Sequence, residues 1–187
     1  MKFNKVTLPI ILIILGVIYY FSFNYVYKSA TNDLLNQQIE TSKNQANLIS
    51  NLLAEKLRSG FTKEQVKNEL QRSIENSSTA YSFVCMFDDT GREICHPNKE
   101  KIGKLLSKNN SVIKSISNDE VEKNFKDAIL EKRAIGGIRK MKNSTEIVYL
   151  SPVQNSNWVV ASHSNVIKFK EIFKNLKQKL GLLFLLI

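Results

Sequence analysis

The chain has 187 residues, with 27 Lys and Arg against 17 Asp and Glu and a formal net charge of +10. That length holds one domain of ordinary size plus a long helix. The basic residues are scattered among acids rather than gathered on a patch interleaved with aromatics, which argues against nucleic acid as a partner despite the charge.

Residues 6–26 (VTLPIILIILGVIYYFSFNYV) carry no charge. As a helix this run is about 30 Å long, enough to cross a hydrocarbon core. Lys2 and Lys5 before it also fit a signal peptide, but the run exceeds a ~7–15-residue signal core and no A-x-A-like site follows. Tyr19, Tyr20, Phe21, Tyr25 and Tyr27 read as an interfacial aromatic belt. The expectation is an uncleaved anchor, with residues 1–27 as tail and transmembrane helix.

Residues 28–60 read as one long membrane-proximal helix. Leu35, Ile39, Ser42, Ala46, Ile49 and Leu53 recur at alternating spacings of four and three, a heptad seam. Leu34, Leu48 and Leu52 form a second stripe. Two stripes allow one to pack on the chain's own domain and the other on a second copy; a single wide core-facing stripe in a monomer is the alternative. Gly60 caps the helix. Thr62 and Gln65 form a capping box for a second helix to about residue 75, buried through Val66, Leu70 and Ile74.

Residues 81–87 then read as a strand, 88–91 as a tight turn and 92–96 as the return strand of a hairpin. Pro97 ends it, and 97–116 form a polar connection. Ser117 and Glu120 make a capping box for a helix through about residue 132, with Val121, Phe125, Ala128 and Ile129 inward. Three strands follow, near 134–142, 146–152 and 158–163. Residues 166–179 predict a basic connecting helix, and 180–187 (LGLLFLLI) the start of a second transmembrane helix that continues beyond residue 187. This order predicts an α+β domain at 61–165 with a five-stranded antiparallel sheet flanked by helices.

The short basic N-terminus places residues 28–179 outside a cytoplasmic (inner) membrane with both ends inside. Lys168, Lys170, Lys174, Lys177 and Lys179 oppose that orientation, although long domains translocate largely regardless of charge.

The hairpin SFVCMFDDTGREICHPN, the KIGK that follows and the closing IVYLSPVQNSNWVVAS carry a resemblance. Their His96-Pro97, Ile102-Gly103, Pro152 and Trp158 resemble the marks of the Cache domains, PAS-like extracytoplasmic sensor modules of bacterial receptors. The resemblance covers nearly all of residues 28–179 and fits the single-module form. It implies a module that binds a small ligand and moves the second membrane helix, feeding a histidine kinase, chemoreceptor or cyclic-dinucleotide enzyme. It also implies a pocket between the sheet and the segment crossing it after the first hairpin, reached by Tyr81, His96, Arg139, Tyr149 and Trp158. Arg139 would hold a carboxylate in a bidentate fork, His96 would add a donor, and Tyr149 and Trp158 would form apolar walls. The competing reading makes Arg139 a solvated strand residue, Trp158 a core anchor and His96 a turn former.

Cys85 and Cys95 lie on facing strands. A two-residue turn sets Cys85 opposite Ile94 with the sulfurs on opposite faces; a bulge at Gly91 would bring them into register for a disulfide, and the favoured alternative is a pair of buried free thiols. Haem attachment needs C-x-x-C-H and zinc needs paired ligands, and neither pattern is present, so no metal or cofactor is expected. No nucleophile elbow or oriented base emerges, so no catalysis is expected within these residues. The leading reading is an extracytoplasmic ligand-sensing region of a transmembrane receptor. The rival is a membrane-anchored structural or assembly protein that pairs through its long helix.

Overall fold

The structure is a computed structural model that describes residues 7–79, 82–106, 112–115, 122–140 and 145–166, and within 171–181 residues 171, 174–176, 178, 179 and 181. It divides into two units, one of Met1–Asn36 with Ile172–Ile187 and one of Gln37–Glu171. The first unit holds the apolar part of helix α1 (Thr7–Arg58), the one helix among the described residues long and apolar enough to cross a membrane. Along it Tyr19, Phe23 and Tyr27 stack in sequence, with ring centroids 5.8 and 6.5 Å apart. All described residues between 171 and 181 are helical; residues 182–187, in the second apolar run, lie outside the described residues.

The second unit holds the remainder of α1, which ends as its sequence demands. Gly60 takes a φ of 91°, open to glycine without a Cβ penalty. The amides of Gly60 and Phe61 donate to the carbonyls of Leu57 and Lys56, a Schellman cap. Helix α2 (Lys63–Ser77) opens on the predicted capping box: Thr62 Oγ1 accepts from the Gln65 amide and the Gln65 side chain from the Thr62 amide. Val66, Leu70 and Ile74 are its buried stripe.

Five strands form where periodicity and turn residues place them: β1 (Ser82–Asp88), β2 (Glu93–Cys95), β5 (Ile135–Lys140), β6 (Thr145–Pro152) and β7 (Trp158–Asn165). Two short strands, β3 (Val112–Ser115) and β4 (Glu122–Asn124), extend this sheet at one edge, giving the order β2-β1-β7-β6-β5-β3-β4 with every pair antiparallel. Their segment reads as a polar connection and a helix start in the sequence. Helix α3 is Phe125–Glu131, shorter than the expected span to residue 132 from a Ser117 cap; Ser117, Glu120 and Val121 lie outside the described residues. The antiparallel pairing of β3 with β5 draws Val112–Ser115 into the ladder, a long-range contact that local composition does not encode.

Strand alternation divides the buried residues into two layers. Val84, Met86, Cys95, Trp158 and Val160 pack with Leu53, Ala54, Val66, Leu70 and Ile74 under α1 and α2. Cys85, Phe87, Val148, Leu150, Val159, Ala161 and Ile135 pack with Ala128 of α3 on the opposite face.

On α1, Ser42, Ala46, Ser50, Leu53 and Ala54 are buried while Leu48 and Leu52 are 71% and 55% exposed. The first stripe therefore packs on the chain's own sheet. Its contacts are largely hydroxyls: Ser42 bonds Ser164 at 2.8 Å, Ser50 bonds Ser151 at 2.7 Å, Ser151 donates to Asn47 and Ser162 donates to Gln45. Small polar residues here let the helix approach closely while each buried hydroxyl keeps a partner.

Candidate ligand-binding site

On the face away from α1, the apolar layer gives way toward one end to a cluster of charged and aromatic side chains. In β7 and β1, His163 and Phe83 are Cα partners, and their rings stack at 4.4 Å with an interplanar angle of 6°. Glu146 of β6 lies two residues from Val148, the other partner of His163, and so shares this face. Arg139 of β5 faces Glu146 in register. Arg139 Nη2 donates to Glu146 Oε2 at 2.6 Å and lies 3.2 Å from His163 Nδ1. Glu146 Oε2 is also 3.2 Å from that Nδ1, and Cys85 Sγ is 3.4 Å from His163 Nε2.

A bulge completes the cluster. Phe87 pairs with Glu93 but Met86 pairs with Cys95, so Ile94 is the extra residue in β2. The shift turns Cys95 under the helices, where Sγ contacts the Lys67 carbonyl. It also returns His96 to the face that Glu93 occupies, three residues away. The His96 ring lies 5.3 Å from Phe83 and its Nε2 3.7 Å from Glu93 Oε2. Gln71 of α2 fixes the His96 backbone through two hydrogen bonds, His96 N to Oε1 and Nε2 to His96 O. His96 Nδ1 accepts from the Asn98 amide at 2.9 Å, which leaves the ring proton on Nε2 in the neutral form. Both thiols are free and buried, and because the bulge falls at Ile94 they sit on opposite faces, as the plain hairpin register requires.

Burial governs the protonation states. Burial, then the Lys101 ammonium 3.5 Å from Nε2 and the nearby His163, lowers His96 to about 4. Burial likewise lowers His163, against the pull of Glu146. For Glu146 burial acts upward, but the His163 hydrogen bond and the Arg139 guanidinium hold the carboxyl at about 2. Burial raises Glu93, only partly offset by Lys101 and Arg139. Burial also pushes up both thiols, Cys95 to about 12.

The row Cys85, His163, Glu146 has the order of a thiol nucleophile with an oriented base, an arrangement that sequence spacing concealed. Its chemistry points elsewhere. Reactive cysteines sit in electropositive, partly exposed surroundings that lower the thiol pKa, whereas Cys85 is buried and its thiol is raised by that burial. The row instead satisfies the polar atoms that hold Arg139 in place.

Of the five residues expected to reach a ligand, Arg139 and His96 belong to this cluster. Arg139 is not solvated: its side chain is 11% exposed and paired. Tyr149 and Trp158 face the other way. Trp158 is buried among Leu53, Val66 and Val84 beneath the helices, with Lys63 Nζ 5.7 Å from its ring centre. Tyr149 alternates with Val148 and Leu150 and therefore lies on the α1 side, its ring over Gly136, where a Cβ would come within 2.3 Å of it. Strand parity separates these two from Arg139. Tyr81 lies outside the described residues. Sequence reasoning passed over Phe83, Glu93 and Glu146. The parity of Phe83 with Cys85 and the charge pair Arg139/Glu146 across a hairpin were the available signals. Elsewhere, clefts of about 140 Å³ between α1, α2 and β1 and about 370 Å³ at the β6–β7 turn carry no comparable cluster.

No family model matches the chain, and no curated protein matches it. Solved structures do. One, described as the structural basis for carboxylic acid recognition by a Cache chemosensory domain, is 16% identical, covers 72% of this chain and 97% of its own, and has a TM-score of 0.48. A methyl-accepting chemotaxis protein from Vibrio parahaemolyticus is 12% identical, with 75% and 96% covered and a TM-score of 0.48. The extracellular domain of the putative histidine kinase mmHK1S-Z2 is 20% identical, with 52% and 36% covered and a TM-score of 0.37. The architecture itself, a long helix and a second helix laid on an antiparallel sheet that begins with a hairpin and closes on β7 beside it, is the α+β arrangement that the sequence predicts.

Proposed function

We propose that residues 28–179 are the extracytoplasmic ligand-sensing region of a receptor in the inner membrane, and that the cluster around Arg139 holds a small molecule with a carboxylate group. The observation that carries this reading is the buried Arg139–Glu146–His163 row on a face that is otherwise apolar core. Buried ion pairs add little net stability, whereas a guanidinium fixed by neighbours presents a planar fork suited to carboxylates. His96 adds a neutral N–H donor. Strand β7 links the two sides: His163 faces the cluster, and Ser162 and Ser164 on either side of it bond α1. A ligand that shifts His163 would thereby bias how α1 seats on the sheet, and through it the membrane segment.

The test is a thermal-shift titration of the full chain in lipid nanodiscs with small aliphatic carboxylates such as butyrate. Binding should weaken in Arg139→Lys, which keeps the charge but loses the fork, and in His96→Gln. Equal responses in wild type and both variants would defeat the assignment. Orientation is tested separately by Asn155→Cys in a chain lacking Cys85 and Cys95: an impermeant maleimide should label it on intact cells.

Exposed Leu48 and Leu52 support pairing of two copies along α1, through the stripe that the sheet does not use. Disulfide formation by Leu48→Cys in membranes would establish that contact. If copies pair but no ligand changes the protein's stability, the assembly role is the better account.

A further inference from the structure

We propose that Glu93 determines which ligands the site takes, by receiving an ammonium group on the ligand, so that a carboxylate that also carries an amine is preferred over a plain carboxylate of equal size. The inference rests on the cluster being a ligand site. Glu93 is 8% exposed, and among the described residues its Oε2 has no hydrogen-bond partner. His96 Nε2 stands 3.7 Å from it, beyond hydrogen-bond range. Its carboxylate differs in this from Glu146, which Arg139 and His163 both contact. An isolated carboxylate oxygen out of water is costly unless something donates to it.

The residue is also held where a ligand can rely on it. Its amide donates to the Lys104 carbonyl at 2.9 Å and its carbonyl accepts from Gly103 at 2.7 Å. Arg92 Nη1 ties the same segment through the Gly103 carbonyl. The edge of the sheet is thereby closed beside β2, and the side chain is fixed on the cluster's face by the bulge at Ile94. The charges around it complete the argument. Arg139 is neutralised by Glu146, and both imidazoles are kept neutral, His96 at about 4. Among the described residues Lys101 is the other cation whose charge acts on Glu93, and it is exposed and stands beside His96 Nε2. Among the described residues the buried acceptor on this face without a hydrogen-bond partner is therefore Glu93, and an ammonium satisfies both its charge and its lone pairs.

The experiment compares three probes of one length, butyrate, 4-aminobutyrate and butylamine, by thermal-shift titration of the full chain in nanodiscs. In the wild type 4-aminobutyrate should bind more tightly than butyrate or butylamine. Glu93→Gln, which removes a buried charge without changing shape and should leave the melting temperature equal or higher, should weaken the amine probes about tenfold or more and leave butyrate unchanged. Glu93→Asp should keep part of the preference. Butyrate binding that depends on Arg139 with no gain from the amine, or a Glu93→Gln response equal for all three probes, overturns the role of Glu93 and leaves the carboxylate reading intact. If none of the three binds, both fall, and Glu93 Oε2 is satisfied by water alone.

Discussion

The two faces of this sheet are made by alternate residues of the same strands, yet they solve different problems. Under α1 and α2, Val84, Met86, Val160 and Trp158 form an apolar core, and neutral hydroxyls and amides pair across the contact of α1 with the sheet. On the other face Phe83, Glu146 and His163 occupy the neighbouring positions and bring charge into a buried setting. A period of two lets one strand carry both tasks without compromise, because a substitution on one side leaves the backbone ladder of the other untouched. The lesson is that stability should be concentrated on one face and discrimination on the other, and that claim can be broken.

The largest effect is expected where charge is buried. Arg139→Ala leaves Glu146, with a side chain 9% exposed, facing His163 alone, and loss of one partner of a buried pair costs about 3–5 kcal/mol. Replacing both residues together, Arg139→Met with Glu146→Leu, should recover most of that stability while abolishing any response to carboxylates. Denaturant unfolding of both variants checks it. A loss below ~1 kcal/mol for the single variant would mean that water reaches the pair.

On the helix side, Met86 is fully buried. Met86→Ala should cost about 2–5 kcal/mol through lost burial and the cavity left behind, with probe affinity unchanged once measured below the new melting point. A smaller loss, about 1–3 kcal/mol, is expected of Ser151→Ala, which strips Ser50 of one partner and Asn47 of another. Ser50 keeps its bond to the Asn47 carbonyl, so the loss should lie toward the lower end of that range. If Ser151→Ala also changes the ligand response, the hydroxyl seam is part of the signalling path, and the two faces are less independent than their chemistry implies.

How much of this was legible in the sequence follows the range of the interactions. The capping box at Thr62/Gln65, the Gly60 cap and the hairpin turn rest on contacts a few residues apart, and the five strands show in their own alternation and turn residues even where their partners are distant, as β1 and β7 are. Strands β3 and β4 depend on pairing with β5 and were missed. The candidate site divides the same way. Arg139 and His96 were identifiable as charged or donor groups on strands near marks of the family. Tyr149 and Trp158 were placed with them because chemistry was weighed without parity; counting residues from Val148 and Val159 sends both to the other face. His96 reaches the site only because Ile94 is bulged, a shift of one residue that decides every side chain beyond it.

The smallest expected effect is on pH dependence. His96 has a reference value of 6.5 and is lowered to about 4 by burial and the nearby Lys101 and His163. Between those values the unfolded chain binds a proton that the folded chain refuses, so stability is greatest above pH 6.5 and declines as pH falls toward 4. His163, also lowered by burial, acts in the same direction. Glu93, raised by burial, acts oppositely: its protonated form favours the folded state, and that contribution is lost as pH rises through its folded value. One proton contributes at most about 1.4 kcal/mol per pH unit, and the opposing Glu93 reduces the net slope. His96→Gln should therefore flatten the acid limb of the stability profile, and Glu93→Gln should steepen it. Parallel profiles for wild type and both variants would mean that acid sensitivity arises outside this face, and that the cluster's charges are set by solvent rather than by burial.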